Sequence, residues 1–260
     1  MPFHSIVCIK SVIRQAPNGV GRRTPDNSEL NPFDRPALEA ALQLKRTQGG
    51  TVTVLSMGPP VAAEALSEAR AMGANKAVLI CDAALAGSDT LVTARVLAAA
   101  IKRLAPYNVI FFGTRTSDSD TGQVGPQTAT VLKIPFLGGV EQMHAQDNHW
   151  QIQRVMDDWQ EQYHVDPPVA LTIHPSAFQP RPIALGGIAE AYQPDTDVLV
   201  WDLAHIDLPT EQVGLEGSPT RVSNLTKIKV KRASRMLEGE PKEQAEALIA
   251  YLTTKGVIGS

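Results

Sequence analysis

The sequence predicts a three-layer α/β/α fold with a mostly parallel sheet, an antiparallel extension and a long C-terminal arm. Three observations carry that prediction. Apolar strand-like runs alternate with helical patterns from the start of the chain to about residue 132. That is the pattern of a parallel sheet covered on both faces by right-handed crossovers. From residue 139 the texture changes to a period near two, with turn signals at Asp147-Asn148 and Asp157-Asp158, as in antiparallel strands. Over His174–Pro219 regular patterns thin out, and six prolines (Pro175, Pro180, Pro182, Pro194, Pro209 and Pro219) interrupt the chain.

The elements follow in order. Phe3–Ile9 reads as a buried strand ended by Lys10, and Gln15–Leu30, rich in Pro, Gly, Arg and Asn, reads as a loop. Asn31-Pro32-Phe33-Asp34 opens a helix, with Asn31 as N-cap, Pro32 preset for the first turn and Asp34 near a capping-box acid position. Gly49 and Gly50 stop it. Thr51–Leu55 is the second strand and runs into Ser56-Met57-Gly58-Pro59. Pro60–Met72 is an amphipathic helix ended by Gly73, and Ala77–Cys81 is the third strand. Ser88 or Asp89 starts a helix that puts Leu97, Ile101 and Leu104 on one face.

The fourth strand, Asn108–Phe112, is closed by Gly113. Gly139–Gln146, His149–Met156 and Gln160–Val165 are expected to form an antiparallel meander, and Pro168–Ile173 a further apolar strand. Residues 1–173 thus form one α/β domain, and 174–260 form the arm. Little self-packing is expected after His174. Yet Leu199, Trp201, Ile206 and Leu208 are too apolar for a disordered tail, so the arm is expected to wrap a partner. The basic run Lys227–Arg235 reads as a solvated face. Pro241–Lys255 carries Ala245, Leu248, Ile249 and Leu252 on one helical stripe that needs a docking surface.

Composition excludes several function classes. The chain has 260 residues, 43% of them hydrophobic, with a net charge of −3. That charge argues against a nucleic-acid binder. No apolar run reaches the roughly 18 residues of a membrane span, and the N-terminus has no secretory pattern, so a cytoplasmic protein is expected. Cys8 and Cys81 sit in strand-like apolar runs and read as reduced, buried thiols. The six histidines show no metal-ligand spacing. No nucleophile and no acid–base pair stands out, so no catalytic residue and no metal site is assigned.

One stretch carries a ligand signal. Ser117–Ala129 follows a buried strand and packs Asp118, Asp120, Thr121, Gly122, Gln123 and Gly125 into a polar turn before a helix resumes at Gln127–Leu132. A strand feeding such a turn and a helix start leaves N–H groups for an anion. Gly122 and Gly125 let the backbone approach a ligand. An ordinary strand–helix connection with Asp120 as N-cap is the plain alternative. The strand ends Cys8–Lys10, Ser56–Gly58 and Gly113 converge with this turn at the carboxyl edge of the sheet, where crevices of such folds bind ligands.

Seven blocks, in order, resemble the β subunit of electron transfer flavoproteins. They are Val7–Lys10, Asn31–Asp34, Thr53–Pro59, Ala71–Leu79, Asp120–Pro126, Pro180–Ile188 and Val213–Val222. The resemblance implies a Rossmann-like nucleotide domain and a heterodimer with an α subunit, the two sharing FAD. It also implies AMP or a second FAD in the β site. By matching position, Cys8, Ile9 and Lys10 lie along the nucleotide, and Asn31, Asp34, Ser56, Met57, Gly58 and Gly113 border it. Asp118, Asp120, Thr121, Gly122, Gln123, Val124 and Gly125 hold phosphate. The stretch Asp89–Thr93 resembles the electron-bifurcating branch, where Thr90 and Thr93 contact the larger cofactor and NADH supplies electrons. Gly122 departs from that branch, many of whose members have Ala there.

Pro180–Ala191 resembles the loop that docks acyl-CoA dehydrogenases, with Leu185 as anchor beside Pro180, Arg181 and Ile188. Glu190 stands where the family often carries lysine, which reverses a local charge. A membrane-bound quinone reductase is a further implied partner. A stand-alone ATP- or AMP-binding module of the stress-protein type is the rival, although such a module would have no need of the arm.

Overall fold

A computed structural model describes residues 3–14, 24–146, 149–193, 198–224, 234 and 236–259. The turn at Asp147-Asn148, Pro194, most of the loop that follows Gln15 and most of the basic run Lys227–Arg235 lie outside the described residues. The chain divides into two units, Met1–Val222 and Ser223–Ser260.

The first unit is built on a nine-stranded sheet in the order β11-β5-β4-β1-β6-β10-β7-β8-β9. Its inner strands are β1 (His4–Cys8), β4 (Thr51–Met57), β5 (Lys76–Ile80), β6 (Val109–Gly113) and β10 (Val169–Ile173), all paired in parallel. They are buried on both faces and so read as continuous apolar runs. Alternate side chains enter opposite cores. Val7 joins the core under α1 (Asp34–Gln48) and α2 (Ala63–Ala71), while its neighbour Ile6 joins the core under α3 (Thr90–Arg103) and α4 (Val124–Leu132). Helices cover both faces, which gives the three expected layers.

The antiparallel extension is also present. β7 (Phe136–Gln146), β8 (His149–Met156) and β9 (Trp159–Val165) form the meander, and β10 returns to lie parallel between β6 and β7. The chain leaves β1 for β4 and β5 on one side, then crosses back to β6 on the other. β1 and β6 therefore flank the topological switch point.

The structure departs from the sequence reading in four places. A two-stranded ribbon, β2 (Ser11–Ile13) with β3 (Ser28–Leu30), takes the end of the expected loop. Asn31 is not the N-cap of α1, because the helix starts at Asp34 with Phe33 as its cap residue. Likewise α4 starts at Val124 with Gln123 as its cap residue, and Asp120 stands apart with a φ of 53°.

The fourth departure is self-packing after His174. β11 (Leu199–Trp201) adds in parallel to β5 and covers an otherwise open sheet edge. Leu203, Ile206 and Val213 then bury themselves in the α3-side core. The short helix α5 (Leu185–Ala191) packs on α2 so closely that a Cβ at Gly187 would run into the Ala71 carbonyl. One further turn, α6 (Gly214–Gly217), precedes the end of this unit.

In the second unit, α7 (Pro241–Thr254) starts with Pro241 in its first turn and a Glu240–Glu243 capping box. None of its residues is buried, and Leu248 and Ile249 of the expected stripe are exposed. No described helix of either unit is long and apolar enough to cross a membrane.

Candidate ligand cavity at the switch point

A cavity of about 580 Å³ opens beyond the carboxyl ends of β1 and β6, within the ~300–1,000 Å³ typical of small-molecule sites. Its floor is made by Cys8, Ile9, Met57, Leu97 and Phe112. The residues 121–125 form one wall, and the start of α3 forms another.

Asp34 and Asn31 shape the crevice from beneath. The Asp34 carboxylate accepts the Lys10 N–H at 2.7 Å, which ties the first turn of α1 to the end of β1. Gly113 lies so close to Asp34 that a Cβ there would collide with its Oδ1. Burial pushes the Asp34 carboxyl up to about 7, although hydrogen bonds from Lys10, Asn31 and Gly113 pull the other way. Asn31, fully buried, donates to the Arg115 carbonyl at 2.9 Å and accepts from the Ser117 N–H at 3.3 Å. The residue that looks like a helix cap therefore holds the root of the polar turn. Burial, with the Asp34 charge adding, pushes the Cys8 thiol well above its ordinary value, so it faces the cavity as an inert neutral group.

The polar turn presents bare backbone. Gly122 has a φ of 63°, in the left-handed region that suits glycine. Among the described residues, the N–H groups of residues 121–125 donate to no acceptor within the chain, and Gln123 offers no side-chain cap. Such a row at a helix N-terminus has the geometry that suits an anion. Two cations stand beside it. Lys10 Nζ is 2.7 Å from the Asp118 carboxylate, and Arg115 lies over the Phe33 ring at 4.5 Å with Asp120 3.4 Å away.

The start of α3 is different. Asp89 is a true N-cap, accepting the Val92 N–H at 3.0 Å through Oδ1. Its Oδ2 accepts from the N–H and the hydroxyl of Thr220, at 3.0 and 2.8 Å. Hydrogen bonds from Val92 and Thr220 outweigh partial desolvation and hold the Asp89 carboxyl below the usual range. Thr90 and Thr93 line the cavity, although the Thr93 hydroxyl donates to the Asp89 carbonyl at 2.7 Å.

Of the residues the sequence singles out, Cys8, Ile9, Lys10, Asp34, Met57, Thr90, Thr93, Gly113 and all of 121–125 line the one cavity. Asn31 and Asp118 stand behind it as supports, and Asp120 is exposed at its edge. Ser56 is buried beneath, and the Gly58 N–H is used by the Ile80 carbonyl. Sequence reasoning missed Arg115, Thr220 and Val222 as lining residues. The last two lie in the block Val213–Val222, the one signal that could have found them. The residues expected to dock a partner do not line the cavity. Leu185 is 86% exposed and Ile188 is exposed beside it, whereas the Arg181 guanidinium is bonded bidentately to buried Glu39 at 2.8 and 3.0 Å.

Comparison with known proteins identifies the family. Residues 22–199 match the family model of the electron transfer flavoprotein domain. The chain is 39% identical to an electron transfer flavoprotein subunit beta of Clostridium acetobutylicum, covering 95% of this chain and 96% of that protein. It is 39% identical to the caffeyl-CoA reductase-Etf complex subunit CarD of Acetobacterium woodii, over 89% and 88% of the two chains. It is 35% identical to the acryloyl-CoA reductase electron transfer subunit gamma of Anaerotignum propionicum, over 97% and 98%. With this match over most of the chain and this similarity along nearly its whole length, the chain belongs to the electron transfer flavoprotein family, among the β subunits.

Proposed function

We propose that this chain works as the β subunit of a heterodimeric electron transfer flavoprotein and holds an adenine nucleotide in the switch-point cavity. The observation that carries the reading is the row of unpaired N–H groups at residues 121–125, opening onto a space of about 580 Å³. A phosphate or pyrophosphate satisfies such a row at little strain. Thr121, Gly122 and Gln123 bind it through backbone N–H and the Thr121 hydroxyl, with Lys10 and Arg115 supplying positive charge. Cys8 and Ile9 run along the nucleotide, and Met57 packs on the adenosine.

Between AMP and a second FAD, we favour FAD. Thr90, Thr93, Leu97 and Val222 extend the cavity beyond the phosphate turn, and a mononucleotide would leave that wall uncovered. When bound, a flavin there supplies hydride acceptance and one-electron transfer. The chain binds it, orients it and excludes water. With the FAD shared with the α subunit, the complex would take electrons from NADH and split them.

The relatives named for caffeyl-CoA and acryloyl-CoA reductases favour a partner of the acyl-CoA dehydrogenase type, and a membrane-bound quinone reductase is proposed as a second acceptor on the family resemblance alone. Leu185, with Pro180 and Ile188, forms the contact in this cytoplasmic carrier. Arg181 anchors the loop through Glu39. The exposed stripe of α7, Leu248 and Ile249, meets the α subunit.

Acid release of nucleotides from the purified heterodimer tests the reading. Two flavins per heterodimer are expected. One flavin plus one AMP keeps the site and rejects the second FAD, whereas one flavin and no other nucleotide overturns the cavity assignment. Leu185→Ala is expected to slow electron exchange with the dehydrogenase at unchanged nucleotide content.

A further inference from the structure

The cavity has a wall that comes from far along the chain. Thr220 and Val222 line it, and they end the first unit. This segment is fastened at three points. Gly214, at a φ of 62°, approaches Ala84 so closely that a Cβ would strike its carbonyl, and its N–H donates to the Ser88 hydroxyl at 3.1 Å. The Ser218 hydroxyl accepts the Asp89 N–H at 2.9 Å and donates to the Gly214 carbonyl at 2.6 Å. Asp89 Oδ2 then holds Thr220 twice. Beyond Thr220 the fastening ends, and Val222 stands 79% exposed at the cavity's edge.

One carboxylate thus does two separable things. Oδ1 caps α3, while Oδ2 fixes the last residues before the second unit. We propose that Asp89 is a positioning residue for a strap, residues 218–222, which the cavity ligand and the body of the protein hold jointly. A planar ring system in the cavity covers Val222 and gains apolar contact, and the strap in turn closes one side of the ligand. Ligand occupancy and strap position are therefore linked, and the linkage is reciprocal. This inference rests on the nucleotide reading of the cavity.

The test uses the intact heterodimer and the Asp89→Asn variant. Asparagine keeps the carbonyl oxygen that caps Val92, but it turns an N–H₂ group toward the Thr220 donors, so only the strap half of the contact is lost. Bound nucleotide is counted by acid release, its exit rate is measured by chase with excess unlabelled FAD or AMP, and hydrogen exchange is followed in the peptide covering 214–224. The variant is expected to retain stoichiometric nucleotide but release it about tenfold faster, the loss of one charged hydrogen-bond pair. In the wild type, added nucleotide slows exchange at 218–222, and in the variant it does not. Val222→Ser, an exposed change that leaves Asp89 intact, is expected to speed release by about threefold, the loss of the apolar contact that the bound ligand would make with this side chain. Unchanged release in both variants, or exchange at 218–222 indifferent to nucleotide, overturns the strap. Absence of nucleotide from the wild type fails the cavity assignment instead, so the two failures are distinct.

Discussion

The N-termini of α3 and α4 meet the same cavity and are finished in opposite ways. At α3 a carboxylate, Asp89, fills the cap position and neutralises the positive end of the helix. At α4 no side chain caps the helix, and five consecutive residues, 121–125, find no acceptor for their N–H groups among the described residues. A helix end finished by its own chain contributes stability. A helix end left open contributes affinity for an anion, at some expense in stability until the anion arrives. On the proposed nucleotide reading, the contrast separates the wall that grips phosphate from the wall that supports the rest of the ligand.

The contrast can be inverted. Gln123→Asp gives α4 the kind of end that α3 has. Nucleotide affinity is expected to fall about a hundredfold, from repulsion between the new carboxylate and phosphate at close range. The ligand-free protein is expected to gain about 0.5 kcal/mol. Calorimetric titration and thermal melting read the two effects, and unchanged affinity would mean that the anion binds elsewhere. Gly122→Val attacks the same end through the backbone. A β-branched residue at a φ of 63° is strained by about 1–2 kcal/mol, and nucleotide affinity is expected to drop about tenfold or more. Asp89→Ala strips α3 instead. Its main expected effect is on unfolding free energy, lowered by about 1–2 kcal/mol in a denaturant titration, with nucleotide affinity falling less than in Gln123→Asp. Equal affinity losses at the two ends would erase the contrast.

The smallest effect belongs to Asp34, beneath both walls. The unfolded chain loses this proton near 3.8 and the folded chain near 7, because burial disfavours the charge. Between those values the native state holds more protons, so this group's contribution to stability falls as pH rises from about 4 to about 7 and is level above. Ionisation also adds a negative charge beside the anion site. Nucleotide binding is expected to be about threefold tighter at pH 6 than at pH 8, and Asp34→Asn is expected to flatten that dependence.

The parallel core is legible in the sequence for a physical reason. Strands buried on both faces must be apolar throughout, as Val109–Phe112 is, and glycines at residues 49, 50 and 73 stop the helices cleanly. The polar turn is legible as well, since Gly122 and Gly125 sit where bare backbone is needed. Asn31 illustrates what local patterns hide. Its sequence context is that of a cap, but its side chain is taken by Arg115 and Ser117 from a turn more than 80 residues away. Asp89 is readable as a cap, whereas its hold on Thr220 spans 131 positions and has no local signature. The packing of residues 199–213 is obscured similarly. Short apolar runs between prolines look unfinished until β5 offers an open edge.

The bidentate grip of Glu39 on Arg181 has a consequence for how such a carrier meets its clients. It immobilises the root of a nearly bare leucine, Leu185, on a platform already seated against α2. A stiff peg loses little freedom when it enters a socket, so encounters can be productive without a slow rearrangement. In the proposed contact a single leucine contributes only about 2 kcal/mol when covered, so such a union would dissolve soon after it forms. A messenger that must visit one enzyme after another is served well by a handshake that is firm in shape and weak in grip.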